Sequence, residues 1–203
     1  MFSLTTAMLH SSINDRSGMM SSEEMFDTVL ESAMNDRREL IRFLGQFSDR
    51  QAQWEPPDGE WSIAQGIEHI LLTDGYARGT LLKTLQEAEK LDRWNNAPEN
   101  PQKLTSAQLR RREQGAVPSP DYLLPVKGRL LSEMVHALMP SREETAAALR
   151  PYRSRNLESL LPPSTRYGDL NVYDRMAYMG IHDALHHEQM ERVTKAEGFP
   201  QAN

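Results

Sequence analysis

Apolar side chains recur at steps of three and four from Phe26 onward. Phe26, Val29, Leu30, Ala33, Leu40, Ile41, Leu44 and Phe47 fall on one side of a helix, with Arg37, Arg38 and Glu39 directed toward water. Ser21, Ser22, Glu23 and Glu24 put cap residues and acids ahead of this run and predict its start, for a helix of about seven turns. Glu55-Pro56-Pro57-Asp58-Gly59 cannot continue a helix, because proline lacks the amide donor and Asp-Gly favours a turn. Ser62 followed by Gln65 is a capping box. Ile63, Ile67, Ile70, Leu71, Leu81, Leu82 and Leu85 then predict a second helix to about Leu91, with His69 in its second turn.

From Asp92 to Pro140 the pattern breaks down under Pro98, Pro101, Pro118, Pro120 and Pro125, which predicts an inserted connection with only short helical pieces such as Leu130 to Leu138. A connection of that length is expected to pack over the rest of the chain, as a lid or an interface segment. Ser141 and Glu144 predict the start of a third helix carrying Ala146, Ala147, Leu149, Leu157, Leu160 and Leu161, kinked near Arg150 by Pro151. After Leu161-Pro162-Pro163, Asn171 and Asp174 mark the start of a fourth helix that runs to Glu197, before Gly198. No alternating run is long enough for a strand, and there is no internal repeat. The fold class is therefore all-α, with an antiparallel four-helix bundle as the simplest architecture. One domain spans residues 21–203 with the insert at about 92–140. Residues 1–20, rich in Ser and Thr without periodicity, read as a flexible or loosely attached segment.

Charge narrows the range of partners. Lys plus Arg number 23 against 29 Asp plus Glu, a formal charge of -6, so the chain repels a phosphate backbone and nucleic acid is not an expected partner. The run Arg110-Arg111-Arg112 is followed at once by Glu113 and reads as a solvated face. With no cysteine there is no disulfide, thiolate ligand or cysteine nucleophile, and any metal must use His, carboxylate or water. Met1 to Met20 does not read as a signal peptide. No stretch approaches the roughly 18 uncharged apolar residues of a membrane span, so a cytoplasmic protein is expected by elimination.

Six histidines remain, and their placement carries the candidate chemistry. Met176, Met179, His182, His186, Met190 and Val193 follow steps of three and four on the last helix, which puts two imidazoles in the middle of the apolar stripe. Residues four apart have neighbouring side chains, so His182 and His186 can share one ion. They can equally be two core histidines, each satisfied by a hydrogen bond. His69 lies on a second helix beside Ile70, one turn after Gly66, whose missing side chain lets helices approach, and it is a plausible third ligand.

Two stretches, Trp61-Ser62-Ile63-Ala64-Gln65-Gly66-Ile67-Glu68-His69-Ile70 and His182-Asp183-Ala184-Leu185-His186-His187-Glu188-Gln189, resemble the DinB-like (YfiT-like) superfamily of metal-dependent enzymes. The resemblance covers most of the chain from Ser22 to Val193. It implies a four-helix bundle, homodimerisation, and one divalent metal ion held by His69, His182 and His186. Zn or Ni is the usual guess for imidazole ligands, and Mn or Fe also tolerate them. His187, one step around the helix from His186, reads as an orienting or surface residue. Asp183, Glu68 and Asp74 are candidates to orient imidazoles or move protons, or are solvated helix carboxylates. The segment His182-Asp183-Ala184-Leu185-His186 also resembles the zincin helix motif. Its Asp is one methylene shorter than the usual Glu, and few residues remain downstream for a third ligand.

Three neutral imidazoles leave the charge of an ion uncompensated and at least one position open. The resembled superfamily includes enzymes that use low-molecular-weight thiols. The first expectation is therefore a metal-dependent S-transferase or hydrolase acting on a small molecule, with the ion activating a thiol or water. The alternative is a non-catalytic dimeric stress or interaction protein with a structural or vestigial metal site. An open pocket would favour the first; Trp94, Tyr122, Leu123 and Leu124 packed over the ion would favour the second.

Overall fold

The computed structural model describes residues 20–94, 119–163 and 170–201; residues 1–19 of the segment expected to be loosely attached and residues 95–118 of the insert, with Arg110-Arg111-Arg112, lie outside these. Among the described residues the chain is all-helical. Four long helices are α1 (Ser22–Leu44), α3 (Ile63–Leu91), α4 (Leu131–Leu149) and α5 (Val172–Lys195), and a single turn, α2 (Asp49–Ala52), follows α1. The capping signals act where the sequence put them. Ser21 pairs with Glu24, Ser62 with Gln65, and Asn171 with Asp174, each side chain bonded to the other's backbone amide.

The third helix departs from expectation. It begins at Leu131 rather than Ser141, passes through Pro140, and ends at Leu149, with a 3-10 turn over Arg150–Tyr152 in place of a kink. Leu131, Met134, Leu138, Arg142, Thr145 and Leu149 are buried at steps of three and four across the proline. Burying that continuous stripe outweighs the one backbone bond that Pro140 removes. Pro151 has no amide hydrogen to continue the ladder of backbone bonds, so the α-helix ends before it, although Arg150 keeps helical angles (φ −54°, ψ −36°) and leads into the 3-10 turn. Leu157 and Leu160 are buried but not helical.

Two apolar clusters occupy opposite ends of the structure. Phe26, Leu81, Leu85, Leu149 and Met176 meet in one, and Leu40, Leu44, Ile63, Ile67, Leu131, Met134 and Met190 in the other. Thus α1 and α5 run from the first cluster to the second, while α3 and α4 run the opposite way. Helix α1 packs on α5 and α4, and α3 packs on α4 and α5. Each long helix therefore has one parallel and one antiparallel neighbour, where an all-antiparallel set was expected. The long connection from α3 to α4 permits this, because α3 ends at the first cluster and α4 begins at the second.

Helix α1 meets α5 closely at Gly180. A Cβ built there would lie 2.9 Å from the Ala33 Cα and 2.4 Å from a carboxylate oxygen of Asp36. Backbone cannot yield as a side-chain tip can, so Gly180→Ala is expected to lower stability by about 1–3 kcal/mol in urea denaturation. At Gly66 the intruding atom is only the terminal methyl of Met190, at 2.7 Å. Gly66→Ala should accordingly cost less than Gly180→Ala.

Candidate metal centre

His69 projects from α3, and His182 and His186 project from α5 at the antiparallel α3–α5 contact. Each offers one nitrogen, and the three nitrogens lie within 4.8 Å of one another, so the group can hold a metal ion. The Nε2 atoms of His182 and His186 are 3.2 Å apart. That is close to the edge of about 3.3 Å in a tetrahedron with Zn–N bonds of about 2.05 Å.

The surroundings fix which nitrogen faces inward. His69 Nδ1 donates to the Leu123 carbonyl at 2.8 Å, and His186 Nδ1 donates to Gln189 Oε1 at 2.8 Å. An acceptor on Nδ1 selects the tautomer whose lone pair is on Nε2. The Trp61 ring lies nearly parallel to His186 at 6.2 Å and tilted against His69 at 4.9 Å, and Tyr178 flanks His182 at 5.8 Å. His187 points elsewhere, onto Phe43 at 4.4 Å.

The electrostatics keep His182 and His186 neutral. Burial lowers the His182 pKa well below its ordinary value, helped by His186, His69, Arg142 and Arg37. Burial and His69 lower His186 to about 4, against the opposing pull of Gln189 and Asp183. Neutral imidazole is the form that donates to a metal. Because both folded pKa values lie below the unfolded value of about 6.5, the unfolded chain binds more protons between them. The metal-free protein is thus expected to lose stability as pH falls from about 6.5 toward 4, as urea midpoints at pH 7, 5.5 and 4.5 would show.

The carboxylate candidates lie elsewhere. Glu68 accepts the Val126 amide at 2.8 Å, with Arg129 3.6 Å from its other oxygen. Asp183 and Asp74 belong to a buried ionic group at mid-length, between the two apolar clusters. Arg37, expected in water, is 0% exposed. It places Nε and Nη2 on the two oxygens of Asp183 at 2.8 and 2.9 Å, Nη2 also on Asp74 at 2.9 Å, and Nη1 on the Leu138 carbonyl. Arg142 Nη2 bonds Asp74 and Asp183 at 3.1 Å each. Burial opposes the Arg37 charge, but Asp183 and Asp74 outweigh it and raise the guanidinium pKa. Two cations and two anions from four helices thus neutralise one another, one residue away from His182. Arg38 and Glu39 do face water.

The residues expected over the centre divide. Leu123 is buried against His69, whereas Tyr122 and Leu124 point outward and Trp94 lies in the first apolar cluster. Trp61 and Gln189, quoted above only as parts of a motif, and Tyr178, which the sequence did not single out, are further residues that touch the imidazoles.

A profile of the DinB superfamily matches residues 35–190. An uncharacterized protein, YuaE, of Bacillus subtilis (strain 168) is 28% identical over 164 residues, covering 80% of this chain and 95% of its own length. No solved structure matches significantly.

Proposed function

The chain belongs to the DinB superfamily, and from this we propose that His69, His182 and His186 hold one divalent metal ion in a metal-dependent enzyme acting on a small molecule. One observation carries the reading: one nitrogen from each of three imidazoles on two helices converges within 4.8 Å, and His69 and His186 are held in the donor tautomer by partners on Nδ1. The ion, Zn or Ni by the preference of imidazole ligands, would supply an electrophilic centre that acidifies a thiol or water. The chain's own residues do the rest. The Leu123 carbonyl and Gln189 orient His69 and His186, Trp61 and Tyr178 wall the approach, and Asp183 and Asp74 hold α5 and α3 in register through the two buried arginines. The reaction is S-transfer from a low-molecular-weight thiol, or hydrolysis.

The architecture proposed for this activity is one domain, a four-helix bundle of α1, α3, α4 and α5, in a cytoplasmic homodimer. Among the described residues no helix is long and apolar enough to cross a membrane. The test is titration of chelator-treated protein with Zn and Ni, expected to saturate at one ion per chain, followed by a thiol-transfer screen of the loaded form. No saturable uptake would overturn the reading. A second reading, a structural ion in an interaction protein, draws support from the insert's hold on His69, whose Nδ1 donates to the carbonyl of the buried Leu123. It is favoured if the loaded protein binds no thiol.

A further inference from the structure

We infer that Glu68 is a positioning residue for the metal centre, acting through the segment that precedes α4 rather than on an ion; the inference rests on the reading of the histidines as ligands. Glu68 and His69 are adjacent on α3 and nearly fully buried, 5% and 4% exposed. Together they grip one strand of backbone at two points three residues apart. His69 Nδ1 donates to the Leu123 carbonyl, and the Val126 amide donates to Glu68 Oε2, both at 2.8 Å. The other contacts of the segment lie on its exposed side: the Tyr122 ring against Tyr76 at 5.6 Å, Lys127 with Glu55 at 2.7 Å, and the Arg129 carbonyl with Gln53 at 3.4 Å. Leu123 is its one buried side chain from Asp121 to Val126, Tyr122 and Val126 are more than 60% exposed, and Gly128 follows with φ +92°.

A backbone carbonyl is a fixed acceptor only while its segment is fixed. With the Val126–Glu68 bond broken, the Leu123 carbonyl is free to leave His69. Water then replaces it at Nδ1, and the ring proton can move to Nε2. That shift removes the lone pair that must face His182 and His186. Glu68 therefore selects the tautomer of its neighbour from the far side of the inserted segment. By reciprocity, an ion at the centre should tighten the segment by the same factor by which the segment tightens the ion.

The experiment uses the full chain with 15N-labelled histidine. Long-range proton–nitrogen spectra of the metal-free form report the His69 tautomer, and competition with a chromogenic chelator gives the zinc dissociation constant. Wild type should show His69 protonated on Nδ1 alone. Glu68→Ala should show both tautomers and bind zinc about 10- to 100-fold more weakly. Glu68→Gln keeps an oxygen for the Val126 amide and should restore most of the affinity and the single tautomer. Val126→Pro deletes the amide without touching α3, and should reproduce the alanine effect even where Glu68→Ala fails to fold. The inference is overturned if His69 stays wholly protonated on Nδ1, with wild-type zinc affinity, in both the alanine and proline variants. Should wild type take up no zinc, the metal reading fails, and the tautomer alone decides the role of Glu68.

Discussion

Replacing Asp183 with alanine is expected to lower folding stability by about 3–5 kcal/mol, the largest effect of any single substitution in this structure. Asp183 takes both the Nε and Nη2 protons of Arg37 and one proton of Arg142. Its removal leaves two buried guanidinium groups to share Asp74. The cost is that of a stranded charge, and does not measure what the intact group contributes. A charge-balanced double variant, Arg37→Met with Asp183→Leu, removes one cation and one anion together. It should be less destabilised than Asp183→Ala despite carrying one more substitution, because Arg142 and Asp74 remain paired at 3.1 Å. Urea denaturation of both variants beside Asp183→Asn checks this. A loss below about 1 kcal/mol for the alanine variant would mean that the ion pairs are solvated.

His69→Ala should abolish metal uptake while the helical circular dichroism persists. The substitution removes one of three converging donors, and the other two, from adjacent turns of α5, cannot enclose an ion. Its effect should exceed the loss of about 10- to 100-fold that accompanies removal of an orienting partner such as Gln189. Elemental analysis and zinc competition on wild type, His69→Ala and Gln189→Leu would show a graded series. Equal metal content in wild type and His69→Ala would place the ion elsewhere.

Much of this was legible in the sequence because it depended on local rules. The helix starts at Ser62 and Asn171 and the stripe through Ile63, Ile67 and Ile70 follow from periodicity and side-chain chemistry, whereas the grouping of His69 with His182 and His186 was implied by the resemblance to the DinB-like superfamily. Arg37 was misread for an instructive reason. Phe26, Leu30, Ala33, Arg37, Leu40 and Leu44 step by four, three, four, three and four, so position 37 is a core position filled by a charge. Asp74, Arg142 and Asp183 interrupt the apolar stripes of their own helices in the same way. One charge in a stripe looks like an error of register. Four, with signs that cancel, are a signal that can be recognised only when the helices are considered together. Pro140 misled differently: the rule that a proline stops a helix is local, and the stripe that carried α4 through it is not.

The buried ionic group also orders events in time. Arg37 and Asp183 stand 146 residues apart. At a synthesis rate of about 5–20 residues per second, α1 emerges from the ribosome roughly 7–30 s before the anion that takes two of its guanidinium protons. Until then Asp74 is the one carboxylate of the group, and it has two guanidinium groups, those of Arg37 and Arg142, to neutralise. The nascent chain therefore cannot finish its core in stages from the N-terminus. It waits for α5, and the same helix delivers His182 and His186 to His69, so the completed interior and the cluster of three histidines arise in a single late step.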